Sequence, residues 1–159
     1  NIEINYIKEK KFLGTAGSLG LIDKIDTKNF IVINADVFSN VNLDQMYKFH
    51  IKNNSLMTIA SNDYIIDIPY AILKEKNNRI IKLSEKPTLK YFTNAGIYIL
   101  NTKLLNKIPK NKFFDITDLI NNLLELNHKI FHYQILGYWI DIGKPEDYKN
   151  VKELIKQIK

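Results

Sequence analysis

The sequence FIVINADVFSNVNLDQMYKFHIKNNSLMTIAS, Phe30–Ser61, contains the pattern that decides the fold. It begins with FIVIN, a short continuous apolar run that predicts a strand buried on both faces, as in a parallel sheet. NLDQMYKFHIKN follows with apolar residues at roughly helical spacing, and Asn42 with Gln45 three positions later resembles a capping box. SLMTIAS, Ser55–Ser61, predicts a second strand. The segment therefore indicates a β-α-β unit.

The rest of the chain continues the alternation of strands and helices. YAILKE and RIIKLSE flank a turn-like polar break, which predicts a hairpin. NAGIYILN and KIFHYQIL predict strands, while FFDITDLINNLLEL predicts a helix that begins after Asp115 or Thr117. Pro145 predicts the first position of a final helix. The predicted fold class is α/β: a single domain over residues 1–159, with a Rossmann-like layered fold and a mixed, mostly parallel central sheet.

Composition narrows the functional classes. With 45% hydrophobic and 25% charged residues among 159, the chain is expected to fold around a core rather than remain disordered. There is no cysteine, which excludes disulfides and thiolate metal sites and is compatible with the cytoplasm. No apolar run approaches membrane-spanning length. The net charge of +6 comes almost entirely from scattered lysines, with Arg79 the only arginine, so it favours anionic small substrates over nucleic acid.

Two aspartates lie where predicted strands end. Asp36 follows FIVIN directly, and Asp141 lies in GYWIDIGKPEDY, Gly137–Tyr148. Carboxylates at such positions can hold a hard divalent cation through oxygen. The alternatives are a turn or capping aspartate at Asp36 and a cap of the final helix at Asp141. The three histidines have no metal-ligand spacing and no visible serine partner, which favours structural roles for them.

Two further stretches could contact a ligand. LGTAGSLG, Leu13–Gly20, has three glycines whose backbone amides could approach a planar or anionic group, although a flexible turn into a helix is the alternative. In SEKPTLKYFTNAGIY, Ser84–Tyr98, Lys86 could hold a phosphate and Glu85 could accept hydrogen bonds from sugar hydroxyls. Asn94–Gly96 would present a small polar surface to the same ligand. The alternative for Glu85 and Lys86 is an exposed ion pair at a turn.

Taken in order, LGTAGSL, NADVF, PYAIL, EKP, NAGIYIL and GYWIDIGKPEDY resemble the sugar-1-phosphate nucleotidyltransferases, over nearly the whole chain. The resemblance implies transfer of a nucleotidyl group from a nucleoside triphosphate to a sugar 1-phosphate, with Mg²⁺ as cofactor, and leans towards guanosine with a mannose- or heptose-like phosphate. A homo-oligomer is left open. The implied roles are nucleotide contacts from Leu13, Gly14, Thr15, Ala16 and Gly17, metal ligation by Asp36 and Asp141, catalysis by these two with Lys86, and sugar-phosphate contacts from Tyr70, Ala71, Glu85, Lys86, Asn94, Ala95 and Gly96.

The sequence departs from this family at several points. Ala71 stands where the family usually has glycine, and Lys144 where it often has threonine. Family members begin with a strand and a glycine-rich loop that grips the triphosphate, whereas this chain opens at NIEINYIKEKKFLGTAG. The resemblance therefore predicts the C-terminal part of a nucleotidyltransferase domain, poorly active or inactive alone and with exposed apolar surface on its sheet. The alternatives are a non-catalytic regulatory or assembly module of the same fold, and a glycosyltransferase, which explains EKP and WIDIGKPEDY poorly.

Overall fold

A computed structural model describes residues 2–158 and confirms the α/β class. None of its helices within that range is long and apolar enough to cross a membrane. The strands are β1 (Asn29–Ile33), β2 (Val37–Ser39), β3 (Met57–Asp67), β4 (Ile72–Lys76), β5 (Arg79–Ser84), β6 (Thr88–Asn101), β7 (Ile130–Gln134) and β8 (Trp139–Asp141). The helices are α1 (Gly14–Gly17), α2 (Leu43–Lys52), α3 (Ile116–Glu125) and α4 (Pro145–Ile158), with 3-10 turns at Ser18–Leu21 and Thr102–Lys107.

The central sheet has four strands in the order β1-β6-β3-β7. β3 and β7 pair in parallel, while β6 pairs antiparallel with both β1 and β3. The sheet is therefore mixed, as predicted. β1, β3 and β7 run in one direction, yet most neighbouring pairs are antiparallel because β6 lies between β1 and β3.

The strand β1 differs from its prediction. Its apolar run predicts a strand buried on both faces within a parallel sheet, but β1 is an edge strand paired antiparallel with β6. Ile31 and Ile33 are 41% and 49% exposed, on the face opposite Phe30 and Val32. Among residues 2–158 no strand pairs with the other edge of β1. The run correctly indicates apolar surface on both faces, while its pairing depends on residues far away in sequence.

Two apolar clusters cover the two faces of the sheet. One joins Met57, Tyr98 and Leu100 to buried side chains of α3 and α1. The other joins Ala60, Ile97 and Ile99 to Met46 of α2 and to Trp139. Helix α2 begins as predicted, because the Asn42 side chain accepts a hydrogen bond from the Gln45 amide at 2.9 Å. The sheet is thus a middle layer, with α1 and α3 on one side and α2 with the β2–β8 ribbon on the other.

Strands β3 and β6 continue past the sheet as a two-stranded ribbon that ends at the pair Asp67–Thr88. The predicted hairpin, β4–β5, lies beyond that end and pairs as a separate sheet. Inside the ribbon, the pairing shifts register between Ile59 and Ser61. The ribbon matters for function because it separates the hairpin from the strand ends of the central sheet.

Candidate functional site

The structure brings the two predicted metal ligands together. β2 and β8 form an antiparallel ribbon in which Asp141 lies opposite Val37. At its end the Ile142 amide donates to the Asp36 carbonyl at 2.8 Å. Both aspartates are exposed, and within residues 2–158 neither carboxylate takes part in a hydrogen bond or ion pair with another residue. Two carboxylates separated widely in sequence therefore share one end of a short ribbon.

The capping alternative for Asp141 is not what the structure contains. Helix α4 begins at Pro145. The backbone amide of the residue before it, Lys144, donates to the Asp147 carboxylate at 2.9 Å. The helix therefore supplies its own capping carboxylate from its first turn. Lys144 cannot accept a hydrogen bond as threonine could, so only this half of a capping box is present. The Asp141 side chain is left available for a ligand.

Asn94–Gly96 lies beside this ribbon. The Trp139 indole N–H donates to the Ala95 carbonyl at 2.8 Å, which fixes β8 against β6. Gly96 has φ +71°, and its carbonyl accepts from the Asn34 amide at 2.9 Å. A Cβ on Gly96 would lie 2.8 Å from Nδ2 of Asn34. Glycine is therefore required here both by its backbone conformation and by the close approach of Asn34.

The glycine-rich stretch is a buried helical turn, α1, rather than a flexible loop. The Ala16 amide donates to the Phe114 carbonyl at 3.0 Å, and the Phe114 amide donates to the Leu13 carbonyl at 2.8 Å. Thr15 is the exposed residue of the five from Leu13 to Gly17. The amides that the sequence suggested for a ligand are thus partly used within the chain. Any nucleotide contact here depends on Thr15 and on the remaining backbone atoms.

Two depressions flank these residues. One, of about 600 Å³, is lined by Thr15, Asn34 and Asp36 together with Ser18, Leu19, Val32, Ile33 and Ala35. The other, of about 340 Å³, is lined by Thr15, Asn34, Asn94, Gly96, Tyr98, Asp115, Ile116 and Thr117. Because Thr15 and Asn34 line both, the depressions form one concave region at the strand ends. Ligands of α/β sheets bind in this kind of position.

Tyr98 adds a buried hydroxyl to this region. Its side chain is 2% exposed, and burial raises the pKa of the Tyr98 hydroxyl above the ordinary 10.0, while a hydrogen bond with the Asn94 side chain offsets part of that rise. The hydroxyl therefore stays protonated at neutral pH. It is a hydrogen-bond donor or acceptor beside Asn94 and not a base.

The second predicted group of ligand-binding residues lies elsewhere. Tyr70 is 75% exposed, and Ala71, Glu85 and Lys86 are also exposed. All four lie beyond the far end of the β3–β6 ribbon. Thr88 and Asn94 are six residues apart in one continuous strand, which corresponds to about 20 Å at roughly 3.3 Å per residue. In this conformation the structure does not bring Glu85 and Lys86 to Asn94, and their joint contact with one sugar phosphate remains a prediction.

Lys86 has an unusual backbone conformation. Its φ is +39°, and it directly precedes Pro87. A residue before proline favours extended backbone, and a positive φ is costly for residues other than glycine or asparagine. Among residues 2–158, neither Glu85 nor Lys86 forms an ion pair, so the ion-pair alternative is not found. Strain of this kind is concentrated at functional positions.

The histidines have structural surroundings. His50 is 1% exposed, with Nδ1 2.8 Å from Thr58 Oγ1 and Nε2 3.3 Å from Asn29 Oδ1. His132 Nδ1 is 2.9 Å from Ser61 Oγ, a pairing that the sequence did not reveal. Ser61 is only 3% exposed, so this pair has no accessible nucleophile. The predicted structural roles of His50 and His132 therefore fit the geometry.

The sequence indicated the motif NAD but gave Asn34 no role of its own, and it did not place Asp115 in the site. Asn34 is the first residue of NAD, next to the predicted Asp36, and its position at a strand end could have indicated it. The sequence predicts Asp115 only as a helix start, and α3 does begin after it, with the Asp115 amide donating to the Asp118 carboxylate at 2.9 Å. No local signal indicates its contact with Thr15, because that contact joins segments 100 residues apart.

Comparisons with known proteins identify the family of the chain. A sequence profile of the nucleotidyl transferase family matches residues 1–158. The mannose-1-phosphate guanyltransferase of Yarrowia lipolytica is 30% identical over 154 residues, which cover 92% of this chain and 42% of that protein. The mannose-1-phosphate guanylyltransferase catalytic subunit beta of Dictyostelium discoideum is 31% identical over 153 residues, with the same coverage of 92% and 42%. The chain thus spans less than half the length of these curated relatives.

A solved structure is also similar. HddC from Yersinia pseudotuberculosis, complexed with GMP-PN, superposes with a TM-score of 0.65 at 25% sequence identity. The superposition covers 92% of this chain and 64% of that chain. The similarity in fold therefore extends over most of the chain.

Proposed function

Since the chain belongs to the nucleotidyl transferase family, among its sugar-1-phosphate nucleotidyltransferases, we propose that it transfers a nucleotidyl group from a nucleoside triphosphate to a sugar 1-phosphate. The products are a nucleotide sugar and pyrophosphate. The observation that carries the proposal is the convergence of Asp36 and Asp141 at one end of the β2–β8 ribbon, beside Asn94–Gly96. Relatives named as mannose-1-phosphate guanyltransferases support guanosine and a mannose-like sugar phosphate, whereas the heptose-like alternative rests on the sequence resemblance alone.

The reaction needs no protein nucleophile. A phosphate oxygen of the sugar 1-phosphate attacks the α-phosphorus, and the bond from that phosphorus to the bridging oxygen breaks to release pyrophosphate. Protein groups contribute by holding the reactants in line and by neutralising charge. Asn34 and Asn94 offer amide groups to substrate hydroxyls in the concave region. Lys86, beyond the far end of the β3–β6 ribbon, stays the proposed source of positive charge for the sugar phosphate.

The two aspartates suit a magnesium ion. Mg²⁺ prefers oxygen ligands and commonly takes one or two carboxylates, with waters and substrate phosphates completing its shell. Asp36 and Asp141 provide two exposed carboxylates without other partners, and residues 2–158 contain no group of three or more acidic, histidine or cysteine side chains that could enclose a metal. Asp36 and Asp141 would hold the ion, which when bound would neutralise phosphate charge during transfer.

Binding measurements on the 159-residue chain test the proposal. Calorimetric titration with GTP, ATP, UTP and dTTP in MgCl₂, and separately with mannose 1-phosphate and glucose 1-phosphate, should reveal one preferred nucleotide and one preferred sugar phosphate. Nucleotide binding should weaken when EDTA removes Mg²⁺. No binding of any nucleotide or sugar phosphate, at millimolar concentrations, would contradict the proposal. Pyrophosphate release distinguishes an enzyme from a non-catalytic module that binds the same ligands.

Two further expectations belong to this proposal. The lack of cysteine is compatible with a cytoplasmic location. Sedimentation measurements would determine whether the chain forms a homo-oligomer.

A further inference from the structure

The contact between Thr15 and Asp115 has a direct consequence for ligand binding. We infer that Asp115 is a positioning residue: it holds the nucleotide-binding turn Leu13–Gly17 and fixes the hydrogen-bonding direction of the Thr15 hydroxyl. The inference rests on the proposed function, because it takes this turn to be part of the nucleotide site. It goes beyond that function by assigning a role to a side chain on α3.

The hydrogen bonds define which atom donates. Oδ1 of Asp115 accepts from the Thr15 amide at 2.9 Å and from the Thr15 hydroxyl at 3.1 Å. The Thr15 hydroxyl oxygen in turn accepts from the Ile116 amide at 2.9 Å. Because an ionised carboxylate only accepts and an amide N–H only donates, the hydroxyl proton must point to Asp115. Thr15 can therefore offer a ligand only its remaining lone pair, as an acceptor.

The rest of the turn depends on the same contact. Gly14 has φ +81°, and a Cβ there would lie 2.8 Å from Oδ1 of Asp115. Leu13 and Ala16 are 2% and 0% exposed, so neither side chain can reach a ligand. Thr15 is the exposed side chain of the turn, and its orientation is set by Asp115. Removing that carboxylate would release the Thr15 hydroxyl proton, so the hydroxyl could donate to a ligand while still accepting from the Ile116 amide.

Asp115 is itself held in place within the site. Its own amide donates to the Asp118 carboxylate at 2.9 Å, and both Asp115 and Thr15 line the depression that contains Asn34 and Asn94. The amide of Ile116, at the start of α3, already donates to the Thr15 hydroxyl oxygen. The N-terminus of this helix is therefore not a separate phosphate site. A carboxylate at this point also disfavours phosphate by like-charge repulsion. The turn is therefore suited to the uncharged part of a nucleotide, its base or ribose.

Four variants and one matched control test the inference. D115A removes the acceptor, whereas D115N keeps an oxygen that can accept from Thr15 and can cap α3. T15V removes the hydroxyl while leaving Asp115 in place, and T15S restores it. N42A is the control, because it removes the capping side chain of another helix, α2, away from the depression. Each variant is measured for its Kd for the preferred nucleotide with MgCl₂, and for amide hydrogen exchange at residues 13–17 without ligand.

D115A and T15V are expected to weaken nucleotide binding by about tenfold or more, the equivalent of losing one well-placed contact. D115N and T15S should bind within about threefold of the original chain, and N42A should bind unchanged although it is less stable. Amide exchange at Thr15 and Ala16 should accelerate in D115A and not in N42A. If D115A and T15V bind as tightly as N42A, the inference is overturned while the proposed function stands. If the unaltered chain binds no nucleotide, the proposed function fails first, and the inference fails with it.

Discussion

Asp36 and Asp141 are reciprocal neighbours across the β2–β8 ribbon: the residue after Asp36 lies opposite Asp141, and the residue after Asp141 donates its amide to the Asp36 carbonyl at 2.8 Å. The ribbon joins a turn after β1 to the segment before α4. The backbones of the two aspartates therefore become neighbours only when these distant segments pair, so the proposed metal site requires a folded ribbon. Trp139 also holds β8 in place, because its indole N–H donates to the Ala95 carbonyl of β6.

Replacing either aspartate should separate metal binding from stability. D36N and D141N remove an exposed carboxylate that has no protein partner, so the free energy of unfolding should change by less than about 0.5 kcal/mol. Magnesium-dependent nucleotide affinity should fall by about tenfold or more. Calorimetry with and without MgCl₂ measures the difference. D26N is the control, since Asp26 is an exposed carboxylate paired with Lys24. Unchanged metal dependence in D141N would rule out Asp141 as a metal ligand.

The glycine at position 96 should be irreplaceable, unlike the glycine at 143. G96A forces a Cβ into a backbone of φ +71° and to within 2.8 Å of Asn34, so we expect a loss of roughly 1–3 kcal/mol in the free energy of unfolding. G143A adds a Cβ with no atom within 4 Å and should stay within about 0.5 kcal/mol. Urea denaturation of both variants gives the comparison. Equal stabilities would contradict the close approach of Asn34.

Lys86 should show a conflict between stability and binding. K86G removes a side chain from a backbone with φ +39°, so stability should be unchanged or slightly raised, because glycine tolerates that conformation. Loss of the ammonium should weaken sugar-phosphate binding by roughly tenfold, the value of one charge-assisted contact. N77G is the matched control, because Asn77 also has positive φ, at +52°, but lies in the hairpin turn. If both variants bind alike, Lys86 has no role in phosphate binding.

Trp139 should contribute through one hydrogen bond and serve as a reporter. W139F removes the indole N–H that donates to the Ala95 carbonyl at 2.8 Å, leaving that carbonyl without this donor, at a cost of about 1–3 kcal/mol. Y138F keeps the stacking of residue 138 on Phe38, with ring centroids 5.3 Å apart, and should cost less. As the chain has one tryptophan, its fluorescence should change when a ligand binds beside Ala95. An emission spectrum that no bound ligand alters would contradict this placement.

Stability should decrease in mild acid because of His50. Burial lowers the pKa of His50 below the ordinary 6.5. As the pH falls, the unfolded chain therefore binds a proton on His50 before the folded chain does. The contribution of neutral His50 to the free energy of unfolding is complete above about pH 6.5 and is lost as the pH falls towards the lower pKa of the folded state. Urea midpoints between pH 8 and 5 measure the slope. H50Q should reduce that slope, at the cost of some stability at pH 8. An unchanged slope in H50Q would contradict the assignment.

Local patterns predicted much of the fold. The caps and starts of α2 and α4 depend on residues within one turn, and Asn42 and Pro145 indicated both correctly. The hairpin followed from a polar break between two strands. The extension of β3 to Asp67 and the start of β6 at Thr88 were missed, because these segments are stabilised by pairing with each other across the intervening hairpin.

The candidate site was predictable only in part, because it too depends on contacts between segments that are distant in sequence. Asp36 and Asp141 could be recognised as strand-end carboxylates, and the structure brings them together. The distance from Lys86 to Asn94 depends on whether residues 88–93 form a strand or a loop, which their sequence did not reveal. The contact of Asp115 with Thr15 depends on packing of α1 against α3, and no periodicity encodes it.

The open edge of β1 makes protein concentration a variable in every experiment above. Within residues 2–158 its outer backbone groups have no strand partner, and Ile31 and Ile33 are 41% and 49% exposed beside them. Such an edge is a template for another chain, so association should rise with concentration and with time in storage. A polypeptide that added a strand there would stabilise the folded state by mass action. The strand that carries Asn34 and Asp36 at its end therefore also affects how much of the chain stays unassociated in a concentrated sample.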